Sequence, residues 1–350
     1  MKPRLPIAVF FSAMAMMACD KPLGAEKPPQ TPPPPQTLAE ARKGFVTHLV
    51  KKERAGESVE PPPGDLFTLV HYPSPAGQLA AYISRIREAP GGGGGPRPAI
   101  IWLVGGFSSS IGDVAWTPGP PSNDQSASTF WHSGIVTMYP SYRGGNDNPG
   151  YKESFFGEVD DVLAAAEFLA KTPGIDPHRI YLGGHSTGGT LALLTAESAP
   201  VKATPRSSMT DSTGGTLALL TTEAGSRFRA VFSLGPVGDL TNYGDDALVF
   251  DRSDKREAAV RAPIRWMQGI TSPTFVFEGA SGRSNIASLR ALSRAPHSAA
   301  VHFYPVSGAD HFSTIQRLSR LIAAKILADK DSAQVVSSIS FTAAEIDAAR

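Results

Sequence analysis

A serine framed by glycines constrains the fold of this chain more than any other stretch. His178 to Leu182 reads as a short buried strand. Gly183-Gly184-His185-Ser186-Thr187-Gly188-Gly189 follows it, and Thr190 to Leu194 opens an apolar helix. Strand, glycine-flanked serine and helix, in that order, require a turn too tight for a Cβ two residues either side of the serine. Such a turn holds its serine under backbone strain at a helix N-terminus, where exposed amides favour developing negative charge. Ser186 is therefore the candidate nucleophile.

The rest of the chain alternates in the same way. Pro98 to Val104 is a continuous apolar run of the kind a central parallel strand shows. Ile135–Pro140, Phe228–Gly235, Thr274–Phe277 and Val301–Tyr304 predict further strands. Asp65–Tyr72 and Gln78–Ile86, separated by Pro73–Gly77, predict an opening hairpin. Val159, Val162, Leu163, Ala166 and Leu169 within Glu158–Lys171, and Ile315, Leu318, Ile322 and Ile326, stand at helical spacing. Thr37 and Glu40 have capping-box spacing, which predicts a short helix running towards Leu49. Phe341–Arg350 is expected to be a loose terminal helix. Strands alternating with helices predict the α/β class: a doubly wound, mostly parallel sheet with an antiparallel N-terminal hairpin.

The N-terminus has a different character. Lys2 and Arg4 precede an apolar run from Leu5 to Met17, followed by Ala18-Cys19. Residues 1–19 are expected to be a secretory signal peptide, too short to be a spanning helix. Cys19 sits where a bacterial lipobox carries its lipidated cysteine; a plain cleaved signal or an uncleaved anchor is the alternative. Residues 20–36 are proline-dense and are expected to form a stiff tether, with recognition by a partner as the other reading. Residues 37–350 are then one domain with its core at about 98–330. The body is expected in the cell envelope, in the periplasm or outside the cell, touching membrane through an N-terminal lipid anchor. A formal charge of +1 offers nothing to nucleic acid, and the eight histidines and single cysteine show no metal-ligand spacing. No cofactor is expected.

Ser186 to Glu197 recurs 26 residues further on as Ser212 to Glu223, with only Ala196/Thr222 differing. The copies are not equivalent. Ser212 has Thr210 where Ser186 has Gly184, and no strand pattern precedes it. Ser186 keeps the nucleophile role in this reading, and the segment 212–223 is an extra piece.

A serine hydroxyl needs a base to take its proton. His311 follows the last strand pattern and heads the last core helix; its downstream rivals, His297 and His302, lie in a loop and a strand. The base in turn needs an acid. Glu278 is the only carboxylate between Phe277 and Asn285, with Asp239 as runner-up and Asp245 or Asp246 behind it. An oxyanion hole needs two backbone N–H groups, one from Thr187 and one from Gly106 or Phe107. A turn that needs glycine only for its conformation is the other reading of Gly105-Gly106. Arg143 is expected to tie its loop to a neighbouring carboxylate rather than to bind substrate. Trp116, Trp131 and Pro118–Pro121 form either a pocket wall or ordinary packing.

Five stretches together resemble the α/β hydrolase superfamily, most closely the catalytic domain of the prolyl oligopeptidase family and its single-domain relatives. They are Ser141-Tyr142-Arg143-Gly144, Gly157 to Val162, Asp176 to Ile180, Gly184 to Gly189 and Gly308 to Phe312. The resemblance implies an α/β-hydrolase fold and a serine hydrolase that cleaves an ester or a peptide (amide) bond through an acyl-enzyme. It implies Ser186 as nucleophile and His311 as base. Three features depart from the pattern: Gly282 stands where the aspartate is expected, the helix segment is duplicated, and no propeller-sized region precedes the domain. The last leaves esterase activity beside peptidase activity. The rival reading is a non-catalytic hydrolase-fold envelope lipoprotein acting as a binding or scaffold protein.

Overall fold

The computed structural model describes residues 37–86, 95–199, 228–330 and 337–349. These belong to one unit, Pro35–Arg350. The leader, Cys19, the tether and the second copy of the repeat lie outside the described residues. Among those residues no helix is long and apolar enough to cross a membrane.

Eight strands form one sheet: β1 (Phe67–Ser74), β2 (Gly77–Ser84), β3 (Arg97–Leu103), β4 (Val136–Pro140), β5 (Ile175–His185), β6 (Val231–Leu234), β7 (Thr274–Gly279) and β8 (Val301–Val306). Their spatial order is β1-β2-β4-β3-β5-β6-β7-β8. β1 and β2 form the expected hairpin, antiparallel to each other, and β2 runs antiparallel to β4. Every other neighbouring pair is parallel.

Strand alternation explains the layers. Along β3, Ala99, Ile101 and Leu103 enter one core layer, while Ile100 and Trp102 enter the other. β7 divides likewise, with Val276 on one side and Phe275 and Phe277 on the other. Successive side chains point to opposite faces, so a strand apolar at every position must be covered on both. α3 (Glu158–Ala170), α4 (Thr187–Ser198) and α6 (Ile286–Arg294) cover the first face, and a short α5 (Lys255–Ala259) lies in the connection from β6 to β7. α2 (Thr129–His132), α7 (Thr314–Ala328) and α8 (Ala343–Ala348) cover the second. The chain passes from β3 out to β4 and then back across β3 to β5. That reversal is a topological switch point, and ligands of such sheets bind at the strand C-termini beside it.

Two expectations are corrected. The first helix, α1, covers only Leu38–Arg42, because Lys43 is extended and Gly44 turns the chain at φ +72°. The C-terminal helix is not loose. Phe341 and Ile346 are buried, the Tyr304 hydroxyl donates to the Phe341 carbonyl, and a Thr342–Glu345 capping box closes the N-terminus of α8.

Every residue of α4 is buried, Glu197 included. Neither Glu197 carboxylate oxygen has a hydrogen-bond partner among the described residues, and burial pushes the carboxyl well above its ordinary value. An acid with a raised folded pKa holds its proton longer in the folded chain than in the unfolded one. Its contribution is therefore most favourable at or below pH 4.5 and is lost as pH rises towards the folded pKa. Glu197→Met is expected to stabilise the protein by about 1–3 kcal/mol near neutral pH and to flatten that decline. Denaturant midpoints at acidic and neutral pH check this; equal slopes in both proteins would remove Glu197 as the cause.

Candidate active site

The turn between β5 and α4 has the geometry its glycines require. Ser186 sits at φ 57°, ψ −117°, a region a side-chain-bearing residue seldom occupies. Its N–H donates to the Leu234 carbonyl at 2.7 Å, and its carbonyl accepts from the Thr190 N–H at 2.9 Å. A Cβ on Gly184 would lie 2.5 Å from the Gly188 carbonyl oxygen, and one on Gly188 would lie 2.1 Å from that of Leu103. One on Gly189 would lie 2.5 Å from the Leu234 oxygen. The turn is thus wedged between β3 and β6, and its glycines are steric necessities rather than hinges.

His311 follows β8, where the chain turns back over the strand ends. Its Nδ1 lies 3.1 Å from Glu278 Oε2, and Glu278 is almost fully buried. The other Glu278 oxygen accepts the Gly279 N–H at 2.7 Å. Glu278 is next to last in β7, so its long side chain reaches forward to the imidazole from inside the sheet. Gly282, the position where the resemblance places an aspartate, has φ +60°. Gly235 supports the pair from below: a Cβ there would lie 2.6 Å from His311 Cε1 and 3.2 Å from Glu278 Oε2. Because Leu234 holds the Ser186 amide and Gly235 holds the imidazole, adjacent residues of β6 and its exit bring serine and histidine to one place. Among the described residues no hydrogen bond yet links Ser186 to His311.

The runner-up acid, Asp239, is engaged in its own turn. Its carboxylate accepts the Thr241 N–H and hydroxyl at 2.9 and 2.7 Å and caps the 3-10 turn Leu240–Asn242. Asp246 is exposed. His302 is exposed and stacks on Phe275, and exposed His297 packs on Phe303. Trp131 is buried against Phe67, and Trp116 packs on Phe67 and Tyr82, so both tryptophans are packing residues. Arg143 makes a forked pair with Asp161, at 3.0 Å from Nε and 2.9 Å from Nη2, and reaches Glu153 at 2.9 Å. Its role is to tie the loop after β4, as expected.

Gly106 is exposed, and its carbonyl accepts the Thr187 hydroxyl at 2.5 Å, so the loop after β3 is clipped to the elbow. Phe107 packs edge-on against Tyr243 at 4.8 Å. Gly106, Phe107, Thr187, Gly188 and Glu158 line one pocket beside the elbow.

Two supporting residues were not singled out from the sequence. His185 is fully buried; its Nε2 lies 2.9 Å from the His311 carbonyl, and its Nδ1 lies 3.1 Å from Gln125 Nε2. Burial lowers its pKa to about 3, the neighbouring His311 adding to the effect. Neutral His185 thus donates from Nε2 and accepts at Nδ1. Gln125 Oε1 accepts the Gly105 N–H at 3.3 Å, so the relay joins the loop after β3 to the loop bearing His311. His185 was visible inside the glycine motif, but nothing local marked Gln125.

The prolyl oligopeptidase family model matches residues 121–202, a span that includes the elbow. No curated protein matches the sequence. Among solved structures, a puromycin-hydrolyzing peptidase of Mycobacterium tuberculosis is 18% identical with a TM-score of 0.51, over 75% of this chain and 40% of its own. The chain thus spans less than half of that peptidase. The 2,6-dihydroxy-pseudo-oxynicotine hydrolase is 17% identical with a TM-score of 0.50, over 80% and 71% of the two chains. An esterase of Pyrobaculum calidifontis is 17% identical with a TM-score of 0.49, over 76% and 86%. The fold is that of the α/β hydrolases. The match across the elbow, on this fold, supports a serine hydrolase, an esterase or a peptidase.

Proposed function

We propose that Ser186, His311 and Glu278 form a nucleophile–base–acid triad that cleaves an ester or amide bond through an acyl-enzyme. The observation that carries this reading is the buried Glu278–His311 pair, set against Gly235 beside the strained serine turn. Glu278 accepts a hydrogen bond from the Nδ1–H, which fixes the tautomer that leaves Nε2 with a free lone pair. Ser186 Oγ attacks the carbonyl carbon as its proton passes to His311 Nε2. The carbonyl oxygen takes the negative charge, facing the Thr187 and Gly106 amides. The Phe107 N–H shares a trans peptide with the Gly106 carbonyl, which is turned to Thr187, so that N–H points the opposite way. The intermediate collapses, the leaving group departs with the His311 proton, and water attacks the acyl-enzyme with His311 again as base. Closure of the serine–histidine hydrogen bond accompanies substrate binding.

A fluorophosphonate probe tests the reading. Labelling of the folded protein is expected to vanish in Ser186→Ala and to persist in Ser212→Ala. Absence of labelling in folded, unsubstituted protein favours the binding or scaffold role instead. The basic residues Lys2 and Arg4, the apolar run and Cys19 support, as part of the same proposal, an exported protein tethered by lipid.

A further inference from the structure

The pocket beside the elbow has a chemistry that the triad does not use. Phe107, Tyr142 and Phe155 are its aromatic lining, and Glu158 and Lys152 its charged residues. Glu158 is 2% exposed. One of its oxygens accepts the Glu153 N–H at 2.8 Å, while Oε2 has no hydrogen-bond partner among the described residues. A buried carboxylate oxygen without a donor is costly unless something else supplies one.

The cations around Glu158 are engaged with other carboxylates. The charged groups facing Glu158 are Asp161 against Arg143 and Arg42, with the Tyr142 hydroxyl beside them. Arg261 also senses Glu158, but it is paired with Glu257. Lys152 lines the pocket and pairs with Glu53 at 3.5 Å. Arg143 is paired with Asp161 and Glu153, and Arg42 with Asp160, so these cations already have carboxylate partners and none donates to Glu158 Oε2. The Phe107 ring already carries the Lys152 ammonium at 5.6 Å. A buried carboxylate oxygen without a donor, with Tyr142 and Phe155 beside it, suits a further cation, which gains from both the carboxylate and the rings. His311 does not line this pocket. A leaving group must lie against His311 to take its proton, so the group beyond Gly106 and Thr187 belongs to the acyl side.

We propose that this pocket is a subsite for a primary ammonium carried on a short acyl chain, with Glu158 Oε2 accepting its N–H, so that aminoacyl esters or amides are the preferred substrates. The proposal rests on the serine hydrolase reading. Burial raises the Glu158 carboxyl to about 7, with Arg143 and the Glu153 N–H pulling the other way. The preference for an ammonium requires the ionised carboxylate, so it grows as pH rises through that value.

The test compares the p-nitrophenyl esters of β-alanine and butanoic acid, which exchange an ammonium for a methyl group. Each kcat/KM is divided by the spontaneous hydrolysis rate of that ester. At about pH 8 the unsubstituted protein is expected to prefer the β-alanyl ester by about tenfold or more, the scale of a hydrogen bond to a charged group. The ratio is expected to fall below about threefold in Glu158→Gln, and also in the unsubstituted protein at about pH 5.5. The pH arm stands alone if the variant does not fold. Equal corrected rates at about pH 8, or a preference that survives Glu158→Gln, overturn the subsite. Fluorophosphonate labelling without turnover of either ester also overturns the subsite but leaves the hydrolase standing. No labelling overturns both.

Discussion

Glu278→Gln is expected to lower kcat/KM by about 10³–10⁴-fold while the protein stays folded. The reason is which atom of the amide meets the imidazole. One Glu278 oxygen already accepts the Gly279 N–H, and a glutamine keeps that bond by placing its carbonyl there. Its NH₂ must then face His311 Nδ1, which becomes an acceptor. The imidazole proton moves to Nε2, and the base can no longer take the serine proton. Asp239→Asn changes a turn cap instead and is expected to cost less than about threefold, the scale of an exposed polar substitution with little effect on the site. Steady-state kinetics on a p-nitrophenyl ester distinguish the two variants. A Glu278→Gln enzyme within tenfold of the unsubstituted one would sink the assignment of the acid.

The largest expected loss of stability lies outside the triad. Asp161 is fully buried and receives two guanidinium N–H bonds and the backbone N–H of Arg143, together with the Ser74 hydroxyl at 2.6 Å. Burial opposes the charge on Arg143, but Asp161 and Glu153 outweigh it and raise its pKa. Asp161→Ala leaves that guanidinium largely buried with Glu153 as its remaining ion-pair partner, and is expected to destabilise by about 3–5 kcal/mol. Removing both partners, in Asp161→Leu with Arg143→Met, is expected to recover part of the loss, because no uncompensated charge then remains. Urea midpoints measure both. A double variant as unstable as Asp161→Ala alone would show that the cost comes from packing rather than from a stranded charge.

The elbow was legible because it is local. Covalent continuity places Gly184, Ser186 and Gly188 in one turn, and apolar residues on either side announce a buried strand and a helix. The central strands and the hairpin were legible for the same reason, since side-chain period depends only on neighbours along the chain. The C-terminal helix was misread because its docking depends on Phe341 meeting Phe275, Phe277 and Tyr304, residues 37 to 66 positions away. No pattern within Phe341–Arg350 carries that information. Gln125 was invisible for a related reason. Its partners, Gly105 and His185, lie on other segments, and its own surroundings in sequence are an irregular loop.

By itself, then, the order of residues determined a serine at a tight strand–helix turn, the α/β alternation that surrounds it, and a histidine downstream of the last strand. These follow from steric limits and periodicity within short stretches. Only the folded sheet decided which carboxylate meets the histidine. That choice depends on where β7 ends relative to the loop after β8, and on Gly235 leaving room between them. Such distances are set by the packing and register of strands far apart in the chain, and Glu278 reaches His311 because parallel pairing of β7 and β8 brings their ends level.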